Sequence, residues 1–420
     1  MFELLAARRF LPLFITQFFG AFNDNFLKCA ILTLVTFTLA GSTANAAMLT
    51  NLAMALFILP YFLFSALAGQ LTDRYDKAAC CRVVKFVEII LMALTAGALL
   101  STNVPLLLGL LFCMGAQSTF FGPAKYALLP QHLADRELVA GNALIEGGTF
   151  VAILIGSIAG SLLIALPGGS GFSAAVLLGL AIVGYLASRR IPKAPPAAPD
   201  LKIAFNLPRE SWRLLRDCLA LPVSGDCIWA LSGFWMVGSL YVSQLPCLCR
   251  DVLGGDQYLN TFFLTLFSIG VAGGSLAAGR FLKGRISGRF ASGAALGMAL
   301  FTLDLALASG GGGSGGNIDF GSQFGRFRFW RIAGDLLGIA LAGGVFSVPL
   351  QALMQHAAPR PEVARVIAAN NIVNAFFMAV AALLTAAAAF LWQTPIGIVM
   401  LGIALICLAN AIFCRRFRKS

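Results

Sequence analysis

Charge is what this sequence has least of. Only 11% of its 420 residues are Asp, Glu, Lys or Arg, where a soluble domain carries about 25%. With 59% hydrophobic residues and a mean hydropathy of +0.86, the shortage excludes a soluble globular protein. It also excludes disorder, which needs low hydrophobicity. Histidine is nearly missing, at two residues. No Gly-x-Ser-x-Gly elbow, His-Glu-x-x-His helix or paired Cys motif occurs, so an enzyme, a resident metal and a cofactor are not expected. The ten cysteines form no disulfide framework. Cys29, Cys113, Cys227 and Cys407 lie inside apolar runs as small hydrophobes, and Cys247-Leu-Cys249 has no second Cys or His cluster beside it.

What is present is apolar sequence of membrane-spanning length. The expected spans are 10–40, 47–69, 83–100, 104–124, 138–165 and 172–189, then 223–248, 258–281, 290–308, 332–354, 364–391 and 395–414. Six and six predict an all-α integral membrane protein of two six-helix bundles, 1–190 and 223–420, joined by a linker at 191–222. That linker holds Pro192, Pro195, Pro196, Pro199 and Pro208, with a short amphipathic helix expected near Arg209–Cys218. Arg8 and Arg9 before an apolar run, with Ala44-Asn45-Ala46 after it, imitate a signal peptide. The run is far longer than the roughly 7–15 residues of a signal core, so it is expected to stay as the first span. The run Gly310–Gly316 separates the ninth and tenth spans and reads as a flexible external loop, because no Lys-Ser/Thr and helix follow it.

The net charge of +12 is explained by topology. Twenty-four of the 30 Lys and Arg lie in the N-terminus, the even-numbered loops and the C-terminus. Only Arg250, Arg326, Arg328 and Arg331 lie in the odd loops. The bias places both termini and the linker in the cytoplasm, and nucleic acid is not needed as a partner. An internal repeat supports the two halves. Gln131-His132 and Gln355-His356 each follow a Pro-containing end of the fourth span of their half. Each then leads to a span entry with Asn, at Asn142 and Asn370, and to a further polar residue four positions on, Glu146 and Asn374. Parallel six-helix repeats of this kind suit a transporter whose path runs between two bundles.

A few polar groups stand inside the apolar runs, where a charge costs roughly 2.5–3.5 kcal/mol on insertion scales. Asn23, Asp24, Asn25 and Lys28 interrupt the first span; Asp24 and Lys28 are one helical turn apart and could pair. They read either as a path lining for a polar headgroup or proton, or as a structural ion pair. Asn142 and Glu146 share a face of the fifth span, and Asn374 is the counterpart of Glu146. Gly156 and Gly160 read as packing. Glu88 pairs locally with Lys85 on the plainest reading; Asp226 and Asp335 fall near expected span ends, and Asp304 is open. Pro123 is expected to end or kink the fourth span, which puts Lys125 and Tyr126 at the cytoplasmic boundary, as a phosphate contact or as ordinary loop charge.

The loop after the second span reads Gly69-Gln-Leu-Thr-Asp73-Arg74-Tyr-Asp76-Lys77. It is similar to the signature Gly-x-Leu-x-Asp-Arg-x-Gly-Arg/Lys of the major facilitator superfamily, departing at Asp76, where the family has Gly. The second half carries a degenerate copy, Gly279-Arg280 and Lys283-Gly284-Arg285. Gly69, Asp73, Arg74 and Lys77 are expected to make ion pairs and helix-end contacts that latch one conformation.

Three longer stretches, 21–28 (Ala-Phe-Asn-Asp-Asn-Phe-Leu-Lys), 121–126 (Phe-Gly-Pro-Ala-Lys-Tyr) and 141–156, resemble one branch of that superfamily, the bacterial lysophospholipid transporters. Val366–Asn374 adds to the likeness in the second half. The resemblance implies that lysophospholipids such as lysophosphatidylethanolamine are moved across the inner membrane for re-acylation by a separate acyltransferase. It also implies that Asn23, Asp24, Asn25, Lys125 and Glu146 line or gate the path. A monomer among membrane lipids is expected. A proton-coupled drug or small-solute antiporter on the same fold, and a non-transporting partner that docks an acyltransferase, stay open as alternatives.

Overall fold

The computed structural model describes residues 1–36, 43–310, 318–391 and 394–419. Of the Gly-rich run only Gly310 falls within them, and so the expectation for that loop lies outside the described residues.

Among the described residues, twelve helices are long enough to span a membrane. In the first half they are α1 (Leu11–Leu34), α2 (Thr43–Arg74), α3 (Lys77–Leu100), α4 (Val104–His132), α5 (Asp135–Ile164) and α6 (Gly169–Ser188). After the short α7 (Leu207–Leu219) come α8 (Pro222–Cys247), α9 (Gln257–Phe281) and α10 (Ala291–Ser309). Past the single turn α11 (Phe320–Gln323) come α12 (Phe327–Ala357), α13 (Val363–Leu391) and α14 (Ile396–Phe413). Ten of these pass as spans on apolarity, or eleven when α8 is counted with α7, from which it bends by 111°. The helix that falls short is α1, because Gln17, Asn23, Asp24, Asn25 and Lys28 lower its hydropathy. The exterior is greasy: Val83, Leu94, Leu162 and Phe172 are all more than half exposed, as lipid-facing positions should be.

Several helices run past the apolar stretch that announced them. The fourth span does not end at Pro123; α4 continues through Pro123 and Pro130 to His132. Proline is tolerated in membrane helices because neighbouring groups re-satisfy the freed backbone. Lys125 and Tyr126 are therefore helical and not terminal. The two histidines, expected on loops, sit in the last turns of α4 and α12.

Contacts divide the chain into two compact units. The first comprises Met1–Gly141, Val151–Gly225 and Gln355–Ile372; the second comprises Asn142–Phe150, Asp226–Met354 and Val373–Ser420. In the first, α2 packs on α4, α3 on α4 and α6, and α1 on α6. Its core gathers Phe22, Phe26, Met92, Leu107, Met114 and Leu177. A Cβ at Gly156 or Gly160 would collide with the backbone of Phe22 or Phe26, so these glycines serve close packing, as expected. In the second unit α10 packs on α14, Phe262 meets Phe320, Phe324 and Phe329, and Phe324 and Phe329 pack edge-on against Trp330.

The linker is not a loose tether. Ala197 and Ala198 donate to the Asp73 carbonyl at 3.0 and 2.8 Å, and Lys77 N–H donates to Ala194 O at 3.1 Å. Ala204 N–H donates to Gln70 Oε1 at 2.9 Å. Its amphipathic helix is present as α7, N-capped by Asn206 and burying Leu214 and Cys218. Burial pushes the Cys218 thiol up to about 12, so it is an inert packing group.

Candidate functional site

Where α1, α3, α4 and α6 meet, a buried polar network stands in an otherwise apolar bundle. Lys85 and Glu88 are each 1% exposed and pair at 2.5 Å. Glu88 Oε2 also accepts from Gln117 Nε2 at 2.9 Å, and Oε1 from Asn23 Nδ2 at 3.1 Å. The Asn23 amide donates further to Leu177 O at 3.2 Å. The Lys85 ammonium lies 4.6 Å from the centre of the Phe121 ring, a cation–π contact. Gly20 makes room for it, since a Cβ there would fall on Lys85 Nζ. Beside this pair, Ser118 Oγ donates to Asp24 Oδ2 at 2.6 Å.

The network is not closed. Asp24 Oδ1 and Asn23 Oδ1 are enclosed and have no hydrogen-bond partner. Buried acceptors of this kind cost about 1–3 kcal/mol each while unmet. Both accept only, so what they would take is a donor: an ammonium, a hydroxyl or a water.

The expected Asp24–Lys28 pair does not form. Lys28 Nζ donates to Asn25 Oδ1 at 2.8 Å and sits 5.4 Å from the Phe57 ring centre. One helical turn of spacing permitted the pair, but Asn25, three residues back, lay nearer the ammonium, and Ser118 took the Asp24 carboxylate. The local Lys85–Glu88 pair does form, and it is more than the plain reading supposed, since it binds α1 through Asn23 and α4 through Gln117. Gln117 and Ser118 were missed. Their signal was available as a polar triplet, Gln117-Ser118-Thr119, in the middle of an apolar run.

A second site forms at the end of α2. Asp73 is fully buried and receives the first turn of α13: Oδ1 accepts Ala364 N–H, and Oδ2 accepts Arg365 N–H and Nε, all at 3.2 Å. A carboxylate here caps orphan amides and meets the positive end of the helix dipole. Gly69 allows the approach, since a Cβ there would press on Ala368 Cβ and Arg365 Cα at 2.9 and 3.0 Å. Arg74 stacks beside the Tyr75 ring, and Lys77 is buried with its ammonium unpartnered. The departure at Asp76 is explained. Its Oδ1 caps α3 through Ala79 N–H at 2.7 Å, and its Oδ2 holds the linker at Ala194 N–H, 2.9 Å away. Glycine could do neither.

The remaining expected residues are dispersed. Asn142 and Glu146 are buried and belong, with Asn374, to the second unit; Asn374 Oδ1 accepts from Ser232 Oγ at 2.7 Å. Asn370 is buried in the first unit with its Oδ1 unpartnered. Lys125 lies over the adjacent Tyr126 ring at 4.8 Å. Asp226 pairs with Arg416 at 3.3 Å, an end-of-helix role as expected. Asp335 is not a snorkelling end group: α12 begins eight residues earlier and Asp335 is 5% exposed, with Oδ2 unpartnered. Near it Arg331 grips Asp304 at 2.5 and 3.0 Å, so Arg331 is a helix residue and not loop charge.

Comparison with known proteins places this geometry in a family. The family model described as Major Facilitator Superfamily matches residues 13–382. The lysophospholipid transporter LplT of Salmonella gallinarum is 28% identical over 361 residues, which is 82% of this chain and 79% of that protein. The LplT of Salmonella enteritidis matches to the same extent. Among solved structures, the human organic anion transporter MFSD10 superposes with a TM-score of 0.75 at 14% identity, covering 97% of this chain and 99% of that one. The E. coli fucose:proton symporter superposes at 0.71 with 15% identity, covering 97% and 98%.

Proposed function

The chain belongs to the major facilitator superfamily, and on that premise we propose that it carries lysophospholipids across the bacterial inner membrane by alternating access of its two six-helix bundles. The observation that carries the reading is the likeness, over four-fifths of the chain, to proteins named lysophospholipid transporter. The chemistry of the buried network supports it. A lysophosphatidylethanolamine head offers an ammonium and a glycerol hydroxyl, and Asp24 Oδ1 with Asn23 Oδ1 offers two unmet acceptors. Lys28, with its ammonium on Asn25, is a cation for the phosphate. Glu146 and Asn142 in the second unit are the further path residues in this reading, with Asn370 and Asn374 as their repeat counterparts, and Lys125 and Tyr126 attract the headgroup near the membrane boundary.

Both termini and the linker face the cytoplasm in this reading, because the basic residues gather there. The bundles are 1–190 and 223–420. Asp73, capped onto α13 with Arg365, is the latch that holds one conformation and opens in the other. The monomer delivers its cargo to a separate acyltransferase.

The test is transport of labelled lysophosphatidylethanolamine in proteoliposomes. The parent protein moves the lipid, and Asp24→Asn and Glu146→Gln slow it. Loss of one charged hydrogen bond, about 1.5–3 kcal/mol, slows transport by roughly tenfold or more. Folded protein that moves no lysolipid would sink the proposal. Movement of lysolipid that stops when a proton uncoupler is added would assign Asp24 or Glu146 to proton carriage instead of headgroup binding.

A further inference from the structure

The first unit holds a cavity of about 1120 Å³ that the transport reading does not use. It opens at the linker end of the unit, where the chain entering α1, the first turns of α3 and the last turns of α6 come together. Five cations line it: Arg8, Arg82, Arg189, Arg190 and Lys193. No carboxylate lines it, and among the described residues none of the five forms an ion pair. The rest of the wall is apolar. Leu11 and Ile15 of α1 face Val183 and Leu186 of α6 across it. Val183 is 42% and Leu186 51% exposed, so the apolar wall is continuous with the lipid-facing surface of the bundle.

Topology alone requires basic residues at this end of the helices. It does not require five to converge on one concave surface without a counter-charge, at a repulsive cost that an anion would remove. Nor does it require the floor below them to be greasy. Ligand clefts run to about 300–1,000 Å³, so the space suits a large amphiphile more than a bare ion. A basic cavity between membrane helices at the headgroup level is built for an anionic head, with its chains lying along the helices beneath.

The geometry points to a lateral binding site for a diacyl anionic phospholipid of the leaflet at the linker end. Its phosphate is held among Arg82, Arg190 and Lys193, and its acyl chains rest on Ile15, Val183 and Leu186. The site is separate from the Asn23–Asp24 network and does not depend on the cargo proposed above. Its occupant is a bound lipid that ties α1, α6 and the start of the linker together.

The experiment uses the full chain in nanodiscs of phosphatidylcholine containing a minor fraction of phosphatidylglycerol, with retained lipids counted by native mass spectrometry. The parent retains phosphatidylglycerol in preference. The variant Arg82→Gln/Arg190→Gln/Lys193→Gln loses that preference by on the order of a hundredfold, given the roughly 1 kcal/mol that each of the three basic residues contributes beside an anionic surface. Lys283→Gln/Arg285→Gln/Arg289→Gln removes the same charge from the second unit and keeps the preference. Should the triple variant fail to fold, Lys193→Glu, an exposed position outside any helix, gives a loss in the same direction. Equal loss in both triple variants would reduce the effect to bulk charge and overturn the site. So would a parent without preference. Displacement of the lipid by inorganic phosphate would assign the cavity to a free anion and overturn the lipid as its occupant.

Discussion

At the scale of the residue, the most consequential feature is a charge pair removed from water. Lys85 and Glu88 are enclosed at 2.5 Å, and such pairs are costly to break from one side, by about 3–5 kcal/mol, because a lone charge remains. Replacing both partners by apolar side chains is far milder. Lys85→Met alone should therefore lower thermal stability in detergent sharply, and Lys85→Met/Glu88→Leu should recover much of the loss. A double-mutant cycle on the melting transition reads the coupling. A cycle that closes additively would show that the pair does not hold the helices. The pair was legible from its three-residue spacing in an apolar run. The partners from other helices, Asn23 and Gln117, were visible only as polar residues out of place. A sequence shows which side chains are costly in lipid, but not which helix will bring the compensating group. The mistaken Asp24–Lys28 pair has the same origin. Spacing along one helix was known, and Ser118 from a neighbouring helix was not.

At the scale of the element, the sequence marked the apolar centres of helices and missed their ends. α2 and α4 overrun their apolar stretches because a helix leaving lipid can change to polar residues without unwinding, and because Pro123 and Pro130 do not break α4. Those overhangs carry the latch. Asp73 caps the first turn of α13, and losing such a cap costs about 0.5–2 kcal/mol. Asp73→Ala should speed hydrogen exchange of the Ala364 and Arg365 amides by about 5–30-fold, the factor that one or two kcal/mol implies. Asp73→Asn, which keeps an acceptor, should have a smaller effect. Unchanged exchange in the alanine variant would remove the carboxylate from the latch. Asp76 separates two functions in the same loop. Asp76→Gly restores the residue usual in the signature and weakens the α3 cap by only a few tenths of a kcal/mol, but it releases Ala194. The expected result is faster proteolysis within 191–206 with little change in melting temperature. Equal proteolysis rates would mean that the linker is held without Asp76, by its backbone bonds to Asp73 and Lys77 and by the Gln70 bond to Ala204.

At the scale of the whole molecule, the chain is organised by two distributions that the sequence carries openly: apolar runs of one length and basic residues on one side. The parallel repeat followed from Gln131-His132 and Gln355-His356, and both pairs close the fourth long helix of their half. Less legible was the exchange at the fifth helix of each half, where Asn142–Phe150 of α5 and Val363–Ile372 of α13 group apart from their neighbours in sequence. Periodicity describes a helix as one object and cannot divide its length between two bodies. The orientation has the widest consequence. If the linker side is cytoplasmic, alkaline phosphatase fused after Thr102, between α3 and α4, is active, and the same enzyme fused after Asp200 or at the C-terminus is inactive. The opposite pattern would put the basic linker, the Asp73 latch and the five-cation cavity on the outer side. Cargo could not then be released toward a cytoplasmic acyltransferase through a gate at that end. The fusion series thus tests the direction of transport as well as the topology, since the latch, the linker and the cavity all lie at one end of the same unit.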